Sequence, residues 1–320
     1  MHLGLTPLHL GLTPLHLGLT PLHLGLTPWD FSDPGASNLQ GQAALAERLG
    51  YESFWLPENH FNAGAIPDPL MLLAGVAGAT SRIRLGTTSY LLTLRNPLLA
   101  AEQVAVLDQL SRGRVILGVG RGFAPDMLKA FNVAPGEKRE VFETTLDVMR
   151  RAWTGEPVCV AGTAGITLAP LPCQKPHPPI WVAAFGPKAL AQAGRLGLPY
   201  LASPMETLET LEQNYLSHRL AGAADVECVP VMRTVYVTED AAETTAVKDR
   251  LASLPRPRDK SPNEVDAWAI VGESGHVREQ VARYRETLAM THLIATRLRL
   301  PGLDPARVRR SVSVLPELLA

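Results

Sequence analysis

The sequence predicts an α/β protein of the (β/α)8 class, a TIM barrel with insertions between its strand-helix units. Short apolar strands alternate with amphipathic helices from residue 23 onward, which is typical of parallel βα units. About eight strands are expected, a number that favours a closed barrel over an open sheet. They cover residues 23–27, 52–56, 83–89, 114–119, 180–184, 199–202, 229–237 and 292–298.

The amino terminus is a tandem repeat of His-Leu-Gly-Leu-Thr-Pro-Leu that fills residues 2–22 and recurs in part at 23–28, before Trp29. We expect the last copy to form the first strand, because its leucines alternate with smaller residues. Residues 1–22 then form a disordered extension, and residues 23–320 form the barrel domain. Prolines at every seventh position exclude a coiled coil. A self-associating arm and a histidine metal tract stay open as alternatives.

Residues typical of helix ends set several element boundaries. Asn96-Pro97 supplies an N-cap and a first-turn proline for a helix that reaches Leu110. Gly50 ends the preceding first helix. Two long connections, at residues 154–179 and 254–262, are rich in proline, and we expect the second to act as a lid.

Composition narrows the classes of function. A formal net charge of -1 over 320 residues argues against nucleic-acid binding and favours a small-molecule substrate. The three cysteines have no metal-ligand spacing and no disulfide pattern, so we expect no metal and a cytoplasmic location. Apolar runs are too short for a membrane helix.

Residues 107–122 carry the strongest signal for a ligand site. They read as a helix end, a glycine turn, a buried strand and then Gly120-Arg121-Gly122. Ligands of α/β barrels bind at the carboxyl ends of the strands, and a guanidinium matches phosphate oxygens with two charge-assisted hydrogen bonds. Arg121 beside Gly120 is therefore the predicted phosphate ligand, with a structural ion pair as the alternative. A dinucleotide fingerprint is disfavoured, since Phe123 stands where its third glycine belongs.

A second anion-binding corner is predicted after the fifth strand, at Ala184-Phe185-Gly186-Pro187. Gly186 frees the backbone, and the helix that follows offers its positive amino end.

Five segments together resemble one family, the bacterial luciferase-like monooxygenases with their deazaflavin-dependent relatives. The segments are Ser-Phe-Trp-Leu-Pro-Glu-Asn-His-Phe at 53–61, Thr-Ser-Arg-Ile-Arg-Leu-Gly-Thr at 80–87, the stretch at 107–122, Pro-Pro-Ile-Trp-Val-Ala-Ala-Phe-Gly at 178–186, and Val-Gly at 271–272, which we interpret as the entry to a helix. The resemblance covers nearly everything from residue 23 onward. It implies a (β/α)8 barrel that binds a flavin or a deazaflavin.

The resemblance also implies roles for cofactor-binding residues. Arg121 would meet the flavin phosphate, and a non-proline cis bond between Thr88 and Ser89 would support the flavin ring, unless this is an ordinary strand end. Residues 184–197 resemble the deazaflavin branch, whereas Gly-Arg-Gly at 120–122 resembles the flavin mononucleotide branch. The choice of cofactor stays open.

The catalytic assignment depends on one departure from the family pattern. Where relatives have Glu-His-His-Phe, this chain has Asn59 in place of the first histidine, followed by His60. Asparagine exchanges no proton near neutral pH, so acid-base work would fall to His60 or to a residue elsewhere. A supporting role for His60 is the alternative.

Aromatic residues near the ends of the first three strands would form an apolar wall for the ring and the substrate. Trp29, Phe31 and Tyr90 are the predicted pocket residues, with Trp55 and Phe61 nearby in sequence; core packing is the alternative. Arg233 and Arg297 would reach an anionic substrate if they face inward, although solvated faces are equally open.

The predicted activity is that of a monooxygenase using O2 and reduced flavin mononucleotide (FMN), which a separate flavin reductase supplies. A deazaflavin-dependent dehydrogenase or reductase and a non-catalytic flavin-binding barrel are the alternatives. We expect a homodimer, as in relatives.

Overall fold

The computed structural model describes residues 21–30, 36–62, 64–160, 162–254, 265–297, 300 and 302–320. The repeats as far as residue 20, the pocket residue Phe31 and residues 255–262 of the predicted lid lie outside this set.

Strands and helices alternate along the described chain. The strands are β1 (His23–Leu26), β2 (Ser53–Leu56), β3 (Arg84–Thr87), β4 (Tyr90–Leu91), β5 (Val115–Gly120), β6 (Val158–Val160), β7 (Thr163–Ile166), β8 (Ile180–Ala183), β9 (Tyr200–Leu201), β10 (Pro230–Val237), β11 (Ala269–Gly272) and β12 (His292–Thr296). The α-helices are α1 (Ala36–Arg48), α2 (Pro69–Ala79), α3 (Pro97–Leu110), α4 (Pro125–Ala130), α5 (Lys138–Trp153), α6 (Pro187–Arg195), α7 (Leu208–His218), α8 (Ala241–Ala252), α9 (Ser274–Leu288) and α10 (Pro305–Leu319). Short 3-10 and π segments cover Leu92–Leu94, Arg219–Ala223 and Val265–Ala267.

The chain divides into two compact units. One comprises Phe31–Arg48 and Glu52–Ala183, and its strands pair in parallel in the order β2-β3-β5-β8, with β4 also paired to β5. The other comprises Met1–Asp30, Leu49–Tyr51 and Ala184–Ala320. Its strands pair in parallel in the order β11-β10-β12-β1, and a bridge from Ala202 to Val231 joins the end of β9 to β10.

The sheet of the first unit is strongly curved. Trp55 on β2 stacks on Trp181 on β8, with ring centroids 4.9 Å apart, although β3 and β5 lie between the two strands. Adjacent strands are about 4.8 Å apart, so a flat sheet would separate β2 and β8 by roughly 14 Å. Gly86 of β3 makes room, because a Cβ there would lie 2.1 Å from the Trp55 ring. The indoles therefore fill the concave side of a curled sheet.

The predicted helix boundaries at Asn96-Pro97 and at Gly50 are confirmed. The Asn96 side chain accepts hydrogen bonds from the backbone N–H of Leu98 and Leu99, with Pro97 opening α3. Gly50 adopts a φ of 93° just after α1, a backbone conformation that favours glycine.

All eight predicted strands are present, with shifted ends, but the sequence analysis missed others. β11 was interpreted only as the entry to a helix; that helix, α9, begins two residues after the strand ends. The connection at 154–179 contains the antiparallel hairpin of β6 and β7. The predicted third strand, at 83–89, ends earlier, at Thr87, and the unpredicted strand β4 begins at Tyr90, after Thr88-Ser89.

Among the helices that the structure describes, none is both long and apolar enough to cross a lipid bilayer. The three cysteines are free thiols.

Candidate functional site

Arg121 lies directly after β5, whose six residues are all buried. Only 7 % of the arginine is exposed, and its Nη2 donates to the carbonyl oxygen of Ala183 over 3.2 Å. The guanidinium also lies 5.0 Å from the centroid of the Phe142 ring. Ala183 is the last residue of β8, the strand that pairs with β5 in the same unit.

Burial and the nearby Arg139 lower the pKa of Arg121 to about 10, while Glu143 raises it. The guanidinium therefore keeps its charge at neutral pH. A charged, mostly desolvated guanidinium at the carboxyl end of a strand is suited to a phosphate, because its two parallel N–H groups match phosphate oxygens.

The bond between Thr88 and Ser89 is cis, as the resemblance implied. Ser89 packs against Gly120, where a Cβ would lie 2.1 Å from the serine Oγ. The Thr88 hydroxyl oxygen is buried and has no hydrogen-bond partner within the described part of the chain. Buried hydroxyls are usually paired, so this one favours a ligand or water as its partner.

The segment after β2 forms a polar cluster around Glu58, in the same unit as Arg121. The buried Glu58 carboxylate accepts hydrogen bonds from His60 Nε2 at 2.9 Å, from Arg95 Nη1 at 2.8 Å and from the backbone N–H of Leu91 at 2.9 Å. Asn59 is engaged differently, since its side-chain oxygen accepts from the backbone N–H of Ile66. Of the two predicted catalytic residues, His60 thus joins a charged network, whereas Asn59 stabilises a loop.

The predicted corner from Ala184 to Pro187 belongs to the other unit. Gly186 adopts a φ of 85° and is the N-cap of α6, with Pro187 at its first position. No side chain caps this helix end, and a Cβ on Gly186 would meet nothing within 4 Å. Phe185 is 44 % exposed, whereas Ala184 is buried. The helix thus begins with an open glycine turn, as predicted.

The predicted pocket residues occupy different surroundings. Trp29 is half-buried against a cluster that includes Tyr236 and Trp268. Tyr90 is fully buried under the Arg95 guanidinium, 3.8 Å from the ring centroid, and its hydroxyl donates to Gln103. Burial raises the pKa of Tyr90 to about 12.

The two predicted substrate arginines are buried among protein groups. Arg233 donates to the Tyr284 hydroxyl of α9 and to the carbonyl oxygens of Ser203 and Met232. Arg297 donates to the Ser311 hydroxyl of α10. Both side chains therefore contact helices, Arg233 with α9 and Arg297 with α10. A contact of Arg233 with the substrate stays a prediction.

The sequence analysis missed Glu58 and Arg95 as members of the polar cluster after β2. The two residues are 37 positions apart, and no local spacing joins them. A usable signal was present, because Glu58 lies only two residues after a buried strand, and a carboxylate buried there requires a donor or a cation.

Comparisons with known proteins give the family context. The model of the luciferase-like monooxygenase family matches residues 22–291. An uncharacterised protein of Sinorhizobium fredii is 33% identical over 65% of this chain and 62% of its own length. Limonene 1,2-monooxygenase of Rhodococcus erythropolis is 39% identical over 35% of this chain and 29% of its own. An F420-dependent glucose-6-phosphate dehydrogenase of Amycolatopsis mediterranei is 28% identical over 79% and 75%. The chain thus spans less than two thirds of the first curated relatives that it matches.

Solved structures show the same fold. A monooxygenase from Streptomyces bottropensis has a TM-score of 0.77 at 26% identity, covering 93% of this chain and 98% of that one. The oxygenating constituent of 3,6-diketocamphane monooxygenase from Pseudomonas putida, in complex with FMN, has a TM-score of 0.76 at 18% identity over the same shares. These matches confirm the predicted TIM-barrel class. With a family model that covers most of its length, the chain belongs to the luciferase-like monooxygenase family.

Proposed function

We propose that this protein is an oxygenating flavoenzyme that binds reduced FMN and uses O2 to oxidise a small, largely apolar organic molecule. The observation that carries the proposal is Arg121, a buried cation at the carboxyl end of β5. The limonene monooxygenase and the FMN-containing neighbour support it, because both are named for oxygenation of compact organic molecules.

The residues fit an FMN group. Arg121 supplies the charge for a phosphate, and the unpaired Thr88 hydroxyl and Ser89 supply polar contacts beside Gly120. Bound reduced FMN would supply the electrons that activate O2. That the turn at 184–187 completes the phosphate site, and that Trp29 and Tyr90 border the substrate, stay predictions. His60 is the proposed acid-base group, since it is a titratable side chain that Glu58 holds in place.

Titration calorimetry tests the proposal, with FMN and the deazaflavin coenzyme each presented oxidised and reduced. We expect reduced FMN to bind most tightly. In a second step, the protein is supplied with a flavin reductase, NADH and 18O2, and a panel of terpenes, cyclic ketones, aldehydes, alkanes and sulfonates is screened for labelled products. Failure to bind any form of FMN would remove the proposal.

A deazaflavin-dependent dehydrogenase or reductase is the second candidate. The F420-dependent dehydrogenase favours it, because it matches a larger share of the chain than the limonene enzyme does. Binding of the deazaflavin but not of FMN, together with hydride transfer in the absence of O2, would indicate this function. A non-catalytic flavin-binding barrel is the third candidate, favoured by Asn59, and binding without turnover would indicate it.

We further predict a flavin reductase as a partner, a cytoplasmic location and a homodimer. The exposed side of α2 and α3 supports the homodimer. Helix α2 has no charged residue, and Met71 on it is 70% exposed. Leu99, Val106 and Leu110 are exposed along one stripe of the neighbouring α3. Apolar patches of this kind mark interaction surfaces.

A further inference from the structure

Glu58 is the centre of a hydrogen-bond network around His60, the proposed acid-base group. We propose that Glu58 is a positioning residue: it holds the His60 imidazole as the Nε2–H tautomer and so leaves Nδ1 to accept a proton or a hydrogen bond from the substrate. The role of Nδ1 toward a substrate rests on the proposed function, whereas the tautomer is a property of the protein alone.

The donors around the carboxylate decide the tautomer. Oε1 accepts from Arg95 Nη1, and Oε2 accepts from the backbone N–H of Leu91. Both groups can only donate, so the two oxygens must act as acceptors toward them. The remaining partner of Oε1 is His60 Nε2, at 2.9 Å, and an acceptor oxygen there requires the proton to lie on Nε2. In a neutral imidazole, Nδ1 then carries the free lone pair.

The carboxylate cannot easily rotate away from this arrangement. The Arg95 Nη1 that binds Glu58 also donates to the carbonyl oxygen of Leu91 at 2.8 Å, and the Arg95 Cζ lies over the Tyr90 ring, 3.8 Å from its centroid. The Glu58 side chain is fully buried, so no water competes for its oxygens. The charges of Glu58 and Arg95 balance each other, which reduces the cost of burying both.

The His60 ring is held on its other sides by two phenylalanines. Phe131 meets it edge-on with centroids 4.9 Å apart, and Phe61 lies 5.6 Å away. Phe61 is 71 % exposed and stacks on Phe131, so the ring borders an open apolar rim. Among the residues that the structure describes, Nδ1 has no hydrogen-bond partner. A fixed acceptor beside an apolar rim suits an organic substrate that presents a hydroxyl group: its proton passes to Nδ1 and the electron pair of the O–H bond stays on the substrate oxygen, while the other proton stays on Nε2, hydrogen-bonded to Glu58.

The test is long-range 1H–15N NMR of the ligand-free protein at about pH 8.5, well above the ordinary histidine pKa of about 6.5. The His60 signals are assigned by their loss in His60→Gln. We expect the Nε2–H pattern in the wild type. In Glu58→Gln an amide nitrogen replaces one acceptor oxygen, and we expect a majority of the Nδ1–H form. The matched control Glu102→Gln changes an exposed glutamate of α3 and should leave the pattern unaltered.

An Nδ1–H or imidazolium pattern in the wild type would overturn the proposal even if Glu58→Gln failed to fold. So would a folded Glu58→Gln protein with the wild-type tautomer. FMN titration of the same proteins separates the two proposals: lack of FMN binding by the wild type contradicts the proposed function, while the tautomer is measured without FMN.

Discussion

Arg121 keeps its charge in a mostly buried position, and we propose that this charge binds the FMN phosphate. We expect Arg121→Ala to weaken FMN binding by about 1–3 kcal/mol, the range for a charged hydrogen-bond partner. Titration calorimetry measures this loss. The FMN affinity of Arg121→Lys should lie between those of the wild type and Arg121→Ala, because lysine keeps the charge but lacks the planar guanidinium that donates two parallel hydrogen bonds.

The control for this prediction is Arg82→Ala, which removes an exposed arginine from the same unit. The control should bind FMN like the wild type. Equal affinities of wild type and Arg121→Ala would take Arg121 out of the cofactor site.

The sequence predicted single residues well where a motif carried them. Arg121 follows a strand of unmistakable pattern, and the cis bond at Thr88-Ser89 came from the resemblance. Glu58 and Arg95 were missed as a pair because their contact arises only when β2 and the segment after β4 end side by side. Tertiary pairing of this kind leaves no periodic trace in one sequence.

At the scale of elements, β3 depends on Gly86. A Cβ at this position would lie 2.1 Å from the ring of Trp55, which is fully buried and donates through its indole N–H to Ser53 Oγ. We expect Gly86→Ala to lower the free energy of unfolding by about 1–3 kcal/mol or more, the cost of overpacking a core. Denaturant titration measures the change.

Gly41→Ala in α1 is the matched control, because a Cβ there would meet nothing within 4 Å. Alanine in an exposed helix interior should raise stability by about 0.5–1 kcal/mol. Destabilisation of both variants alike would argue against a specific role for the Trp55 contact.

Glu47 joins the end of α1 to the segment before β3. Its carboxylate accepts backbone N–H bonds from Ser81, Arg82 and Ile83. Burial raises the pKa of Glu47, but these bonds outweigh it and lower the pKa from 4.5 to about 2. A lowered pKa in the folded state means stability that is present above about pH 4.5 and is lost as the pH falls toward 2.

Glu47→Gln should therefore destabilise the protein by about 1 kcal/mol at neutral pH, a value discounted for solvent screening. The difference from wild type should shrink below pH 4.5. Melting temperatures across this pH range give the measurement, and the exposed Glu102→Gln should show no such trend. A constant difference down to the lowest pH would contradict the role of the Glu47 charge.

Elements were predictable where periodicity and punctuation agreed, as for α3 between Asn96 and Leu110. β11 was missed because its four residues give too short a run to distinguish a buried strand from a helix entry. The hairpin of β6 and β7 was missed because prolines dominate that connection and conceal short strands.

At the scale of the whole molecule, the apolar stripe on α3 predicts self-association. We expect light scattering after size-exclusion chromatography to give twice the mass of one chain. The double variant Leu99→Glu and Val106→Glu places charges on the stripe and should yield monomers. Desolvating a carboxylate in an apolar interface is costly, which is the reason for this choice.

Glu279→Lys changes an exposed residue of α9 and serves as the control that should stay dimeric. A monomeric wild type at micromolar concentration would contradict the predicted dimer.

Two indoles held face to face do not absorb light independently. The rings of Trp55 and Trp181 are 4.9 Å apart and tilted by 23°, close enough for their excited states to mix. We therefore expect this ring pair to give two circular-dichroism bands of opposite sign in the far ultraviolet, where the intense indole transition lies, and both bands should vanish when β2 and β8 separate.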